Sequence, residues 1–469
     1  MHAMTAAKRR TDKKELFEKA PVEKALLIMA VPTVISQLIN LVYNMVDTIY
    51  IGRTGNPDMT AAVTLAFTVF MMTIAFSNLF GVGASSLMAR LAGSGDRRTA
   101  KAVSAAGFYG AVAVSVVYSL LVGIFADPLL RLLGASENTL GYAKQYTMIV
   151  VVAGCLPTVL SAVAAHLIRG SGYSRQASIG LSMGGILNIF LDPLFMFVLL
   201  PKGYEIVGAA IATLISNVVS CIYLTVTLAV LSKKTVLSAD PREIRGMDRD
   251  AWKGLFSVGV PSAMLTGLFD LANIVLNYLM AAHGDPELAA VGIVMKAERL
   301  PNAINIGICQ GMLPIVAYNF ASGDHKRMNR TVNTARLWGV IVSAATLLLY
   351  ELFSPSVCRL FLDVGENNAS AARTIMLATV FLRIRCISSL PQFFNYSTSY
   401  CMQAVGYGSG TLLHACVREL GFYIPFMIIF DRLFGLYGLT AAIIAGEGCG
   451  ALFALLIFRR WKKKHVNLI

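Results

Sequence analysis

The stretch ALLIMAVPTVISQLINLVYNMVDTIYI, from Ala25 to Ile51, decides the class of fold. It holds one acid, Asp47, and no Lys or Arg. As a helix it is long enough to cross about 30 Å of hydrocarbon, and it is too apolar for the surface of a soluble protein. A second stretch, SIGLSMGGILNIFLDPLFMFVLL from Ser178 to Leu200, repeats the pattern with Asp192 as its one acid and again no base. These read as the only two acids within the spans of the first half. A carboxylate at membrane depth is costly and faces a bundle interior or a watery cavity. Two such acids without a resident base need a cation from outside: a proton, a metal ion or a positively charged solute. That is the working logic of a cation-coupled transporter.

Working outward, the whole chain reads as an all-α integral membrane protein. Of its 469 residues 56% are apolar and 14% charged, and mean hydropathy is +0.65, outside the range of soluble domains. About twelve spans follow, at roughly 25–50, 60–89, 102–126, 142–168, 177–200, 206–231, 254–281, 287–319, 331–353, 371–402, 409–430 and 436–458. The net charge of +14 collects in Lys8–Lys24, Arg90–Lys101, Lys233–Lys253, Lys326–Arg336 and Arg459–Lys464. The alternate loops carry only scattered bases such as Arg53, Arg131, Lys202 and Arg432. This is the positive-inside pattern of an even number of crossings, with both termini cytoplasmic and the chain multi-pass in the cell (inner) membrane. The basic excess is therefore topology, and the bilayer, not nucleic acid, is the expected partner. The N-terminal apolar run is longer than the core of a secretory signal and reads as a retained first helix. The eight cysteines have no metal-ligand spacing, and most lie in apolar helices where Cys packs as a small hydrophobe.

The chain repeats itself across its most charged long interruption, SKKTVLSADPREIRGMDRD (Ser232–Asp250). KALLIMAVPTVISQL sets Pro32 opposite Pro261 in KGLFSVGVPSAMLTGL. Gly95-Asp96 answers Gly323-Asp324, Pro157 and Gly172-Tyr173 answer Pro391 and Gly406-Tyr407, and Gly208 answers Gly438. The expected division is an N-terminal lobe over 1–231, a cytoplasmic linker over 232–250 and a C-terminal lobe over 251–469. Six spans per copy, an even number, make a parallel repeat about an axis along the membrane normal, with substrate between the lobes near the midplane.

On the first helix Ser36, Asn40, Tyr43, Asn44 and Asp47 share one face, which must turn away from lipid. On the fifth, Asn188 and Asp192 stand four apart, and Pro193 frees a carbonyl or kinks the helix. Thr213 adds a hydroxyl from the sixth. These hard oxygen ligands suit H⁺ or Na⁺ and no softer metal. The second half differs: its spans hold Asp270, Glu298, Glu419 and Glu447, but also Lys296, Arg299, Arg383, Arg385 and Arg418. Mutual ion pairing is the expected reading there, with Asp270 or Glu419 as the alternative contact for a cationic substrate. His166 and His414 read as hydrogen-bonded core residues. Pro32, with Gly52 and Gly55 beyond the far end of its helix, is a candidate gating kink.

The two repeats, the AVP…N…N…VDT…IGR…G segment (Ala30 to Gly55), the N…DP set Asn188/Asp192-Pro193 and GAAIAT (Gly208 to Thr213) resemble multidrug and toxic compound extrusion (MATE) transporters over essentially the whole chain. The resemblance is to bacterial and archaeal members with a cation site in the N-terminal lobe. It implies Asp47, Asn188, Asp192 and Thr213 as that site, and Pro32 as the proline whose bending is debated. It implies two six-helix lobes around a V-shaped cleft and export of amphipathic, often cationic drugs against H⁺ or Na⁺ entry, by a protein that needs no cofactor and is expected to be a monomer. Another branch carries acids on its seventh and tenth helices. Here the seventh has Asp270, but the tenth offers Arg383 and Arg385. A lipid-linked oligosaccharide flippase, or an exporter of one metabolite from the same superfamily, is the alternative. An enzyme is not expected, since there is no HExxH, GxSxG or P-loop sequence.

Overall fold

The computed structural model describes residues 15–361 and 369–465, and among them there is no strand. The Lys8–Lys14 part of the N-terminal basic run lies outside the described residues. The first half holds α1 (Val22–Gly52), α2 (Pro57–Ser94), α3 (Arg97–Leu132), α4, α5 (Ser174–Leu199) and α6 (Glu205–Ser232). Helix α4 is a pair of arms, Glu137–Ala153 and Cys155–Gly170, bent by 46°. The second half begins with α7 (Arg249–Ala281), α8 (Asp285–Ala321) and α9 (His325–Arg359). It continues with α10, whose arms Ser370–Cys386 and Ser389–Ala404 are bent by 50°. The last helical run, Gly408–His465, has 58 residues. Straight, it would measure about 87 Å, far more than one crossing. Gly435, at φ 60° and ψ −147°, breaks it. Phe422 and Phe453 come back to 6.5 Å between ring centres, so residues 408–434 (α11) and 436–465 (α12) are two crossings. The described residues thus make twelve crossings, in two lobes of six.

The same joints occur in both lobes because the backbone needs them. Gly95 (φ 88°) ends α2 and Gly323 (φ 80°) follows α8, left-handed conformations that favour glycine. The next residue caps the following helix each time: Asp96 accepts from the Thr99 amide at 3.0 Å, and Asp324 from the Arg327 amide at 2.9 Å. Pro157 and Pro391 sit in the first turn of the second arms of α4 and α10, where a missing N–H costs no helical bond.

The lobes join along the half that holds the described chain ends. One apolar cluster there combines Ala25, Leu26, Met29, Ala30, Val82 and Ala89 with Ile308, Met312, Val316, Met402 and Phe458. Main chain lies against main chain. A Cβ on Gly83 would stand 2.6 Å from the Leu255 carbonyl oxygen, and one on Gly311 2.6 Å from the Ala30 Cα. Gln37 donates to Gln310 at 3.3 Å, Asn78 to Thr266 at 3.1 Å, and Ser86 to the Gln403 carbonyl at 2.5 Å. Residues 15–20 strap across the seam. Arg327 donates to the carbonyls of Phe17 (2.6 Å), Leu16 (3.2 Å) and Ala20 (2.6 Å). Toward the other face each lobe has a core of its own, one around Ala66, Val150 and Met196, the other around Leu276, Val294 and Phe381. A cleft therefore separates the lobes on the side away from the termini.

Candidate cation site and interlobe cavity

Two adjacent glycines set the N-terminal site. A Cβ on Gly185 would meet Ile39 and Tyr43 of α1 at 3.1 Å, and one on Gly184 would stand 3.0 Å from the Ser216 carbonyl of α6. Helix α5 thus lies close to both neighbours, as small residues permit in membranes. One turn on, the Asn188 amide donates to Asp192 Oδ1 at 3.0 Å and to Thr213 Oγ1 at 3.4 Å. Asp192 is fully buried. Asp47 of α1 acts electrostatically on both Asp192 and Tyr43. Three oxygens here are buried without a hydrogen-bond partner: Asp47 Oδ1, Asp192 Oδ2 and Asn188 Oδ1. Among the described residues no Lys, Arg or His comes within 4 Å of either acid. The four site residues read from the sequence therefore gather in one place. Sequence reasoning did not single out Tyr146 of α4, a buried tyrosine that feels the charge of both acids. It sits in an ordinary-looking QYT segment, and only the fold signals it. Pro193 leaves its mark: the helix widens into a π turn over Leu194–Leu199 directly after it.

Between the lobes lies a cavity of about 370 Å³. Gln37, Asn40 and Asn44 form part of its α1 wall; the C-terminal lobe contributes Asp270, Glu298, Arg299, Arg385, Tyr396 and Glu447, among others. At about 100° per residue the polar stripe of α1 spreads over roughly 120°, wide enough to serve two surfaces. Gln37, Asn44 and Asn40 lie toward one edge and face the cavity. Asp47, Ser36 and Tyr43 lie toward the other; Ser36 is buried and none of the three is on the cavity wall. Of the substrate-contact candidates, the cavity takes Asn40, Asn44 and Asp270, while Ser36, Tyr43 and Glu419 stand behind its wall.

Arg383, Arg385 and Arg418 are engaged, whereas Arg299 on the cavity wall has no carboxylate within 4 Å among the described residues, so the expected pairing does not extend to it. Arg385 grips Glu298 through two bonds of 2.8 Å. Arg418 meets Glu447 at 2.5 Å and Glu419 at 3.5 Å. Arg383 donates to Ser354 at 2.9 Å and stands 3.9 Å from Glu351. His414 bonds to Ser399 and to Asn395, each at 2.9 Å, and Asn395 donates to Glu447 at 2.6 Å. His166 departs from its core reading: it lines a void of about 10 Å³ at the seam with Arg169, Gln310 and Tyr400. The first half is also not free of buried bases. Arg169 is 4% exposed, and Arg90 packs under Gly406. Sequence boundaries had placed both just beyond their spans, whereas α4 and α2 run further; both lie at the seam.

Two repeated six-helix lobes, a polar cavity between them and buried acids without bases define a class, the membrane transporters of two-lobe design. The chain belongs to the MatE family, whose model matches residues 32–194 and 261–429, once in each lobe and beginning at the paired Pro32 and Pro261. Among its relatives is the multidrug export protein MepA of Staphylococcus saprophyticus subsp. saprophyticus, 28% identical over 443 residues covering 94% of each chain. MepA of Staphylococcus aureus strain MRSA252 is likewise 28% identical, over 447 residues and 94% of each chain. A crystal structure of MATE in complex with MaL6 superposes with a TM-score of 0.90 at 26% identity, over 97% of this chain and 99% of that one. A multidrug resistance MATE family transporter of the MOP superfamily, in an outward-facing conformation, gives 0.89 at 26% identity over 97% and 98%.

Proposed function

We propose that the protein is a secondary active multidrug exporter in the cell membrane, which exchanges amphipathic, often cationic small molecules for entering H⁺ or Na⁺ by alternating access. The observation that carries this is the Asp47–Asp192 cluster: two acids and three unpartnered oxygens with no base beside them. Unpaired buried charge of this kind needs a mobile cation. The relatives named as multidrug export proteins support the choice of cargo. Asn188, Thr213 and Tyr146 complete the coupling site; Asn40, Asn44 and Asp270 meet cargo, with Ser36, Tyr43 and Glu419 behind them. Basic clusters on the face that holds the termini support cytoplasmic ends, which makes the closed seam cytoplasmic and the cleft outward-facing. The moving bodies are then 1–231 and 251–469, tethered by 232–250.

Pro32 fits a gating role. The Met29 carbonyl next to it accepts from Thr33 Oγ1 at 2.9 Å and from Ser174 Oγ, at the start of α5, at 2.6 Å. Cation binding between α1 and α5 thereby reaches the turn that carries Pro32. The flippase alternative requires a set of free cations for a diphosphate, yet Arg385 and Arg418 are each held by a glutamate, which leaves Arg299 as the unpaired base on the cavity wall among the described residues. The deciding experiment loads proteoliposomes with a fluorescent lipophilic cation and imposes a pH or a Na⁺ gradient separately. Efflux with one gradient and not the other names the coupling ion; efflux with neither overturns the proposal.

A further inference from the structure

The C-terminal lobe contains a charge imbalance that the N-terminal site does not explain. Glu447, Arg418 and Glu419 are each at least 95% buried as side chains, so two carboxylates share one guanidinium. The two are held differently. Glu447 accepts from Arg418 Nη2 at 2.5 Å and from Asn395 Nδ2 at 2.6 Å. Among the described residues Glu419 accepts no hydrogen bond; its closest cation there is Arg418 Nε at 3.5 Å, an atom that itself has no hydrogen-bond partner among them. The other ionisable groups facing this pair do not restore neutrality. Tyr396 of α10 and Tyr423 of α11 lie beside it, His414 is tied to Ser399 and Asn395, and Arg385 is taken by Glu298 of α8. Helix α7, which packs on α11, turns its Asp270 to the cavity, and the one unpaired base on that wall among the described residues, Arg299 of α8, balances Asp270. A net negative charge in so dry a place is costly unless a proton neutralises it. Both Glu447 oxygens already accept hydrogen bonds, so Glu419 is the carboxyl with room for that proton.

The wall position of Glu447 gives the proton a use. Glu447, Tyr396 and Tyr423 line the central cavity, and Glu419 lies directly behind them. We propose that Arg418 is a charge relay between two glutamates, through which a cation entering the cavity expels one proton from Glu419. The arriving cation neutralises Glu447, Arg418 turns its free Nε to Glu419, and the Glu419 O–H bond breaks, its proton leaving through the cleft. One positive charge enters the site and one leaves. This makes a second proton-exchange centre, in the lobe without the Asp47 cluster, and it rests on the exporter reading only for the nature of the cargo.

The test uses purified full-length protein in lightly buffered detergent with a pH-sensitive dye, and tetraphenylphosphonium as the cation. The expected result is that Asp47→Asn still releases protons on tetraphenylphosphonium binding, and that adding Glu419→Gln abolishes this remaining release. A protonated-carboxyl band in the infrared spectrum should fall when the cation binds and be missing from Glu419→Gln. Glu419→Asp should keep the band, shifted, and it decides the matter if the Gln variant does not fold. The relay is overturned if Asp47→Asn alone ends all release, if Glu419→Gln leaves release or band unchanged, or if tetraphenylphosphonium does not bind. A protein inert in proteoliposomes would sink the exporter reading while the band still judged the relay.

Discussion

In the N-terminal lobe Asp47 and Asp192 stand without a base, held by an amide and hydroxyls. In the C-terminal lobe Glu298, Glu351 and Glu447 each stand by an arginine. Both lobes nevertheless turn their chain at matching glycines and bend the fourth and tenth helices by nearly the same angle, 46° and 50°. The contrast separates two kinds of constraint. A left-handed turn or a helix cap has few chemical solutions, so a duplicated chain must solve it twice alike. A buried charge can be balanced in more than one way, and the two copies differ: most C-terminal acids have a fixed arginine, whereas Asp47 and Asp192 have none among the described residues.

The largest expected effect comes from removing an unpaired acid. Asp47→Asn keeps the shape and removes the charge; gradient-driven efflux from proteoliposomes should fall to the protein-free level while expression stays intact. Asp192→Asn should add nothing in that background, because members of one site are energetically coupled. Multiplying, independent defects in the double mutant would dissolve the shared site. Breaking a fixed pair should harm the fold instead. Arg418→Ala strands Glu447 and should cost about 3–5 kcal/mol in detergent, whereas Asp47→Asn should unfold at the wild-type temperature or above it. An Arg418→Ala protein as stable as wild type but unable to transport would leave the relay as that arginine's whole role.

A smaller effect sharpens the geometry of the unpaired site. Gly185→Ala places a methyl group 3.1 Å from Tyr43 and Ile39. Thermal unfolding should report about 1–3 kcal/mol of overpacking, and a loss of that size with unchanged ion coupling would mean that the α1–α5 approach does not set the site. The smallest effect tests the shared joints. Asp96→Ala and Asp324→Ala should each cost about 1 kcal/mol, as for other helix caps. Bonds from the Thr99 amide and hydroxyl hold the Asp96 carboxyl below its usual range. Its cap is therefore complete above the ordinary carboxylate range and lost as pH falls through the lowered folded value, so an acid titration of Asp96→Ala should lack that step. Unequal losses in the two lobes would weaken the idea of equivalent joints.

Much of this was legible in the residues, and the reasons are physical. Membrane spans announce themselves because lipid tolerates almost nothing but apolar helix, and Asp47 and Asp192 stand out on that background. Helical spacing was enough to bring Asn188 to Asp192, since four residues along a helix is a fixed distance. Tyr146 was not legible: its place near the two acids depends on how α4 packs, and a tyrosine in a span carries no signal of its own. The division of the α1 stripe between cavity and lobe was also hidden, because periodicity gives a face but not its neighbours. Arg169 and Arg90 were lost to boundary placement. The twofold sharing of Arg418 needed coordinates, since Glu447 is brought to it only by the reversal at Gly435.

If the lobes rock as proposed, the glycine-lined seam between them bears on how quickly the molecule switches sides. Gly83, Gly259, Gly307 and Gly311 bring main chain against main chain, and glycine has no rotamers to freeze or release. Parting those backbone contacts requires no reshuffling of side chains, so the cost of separation falls on the apolar cluster around Met29, Met312 and Met402, on a few polar ties and on the residue 15–20 strap. The polar ties, being individually replaceable, are where the tempo of the proposed turnover can be tuned without touching either ion or cargo.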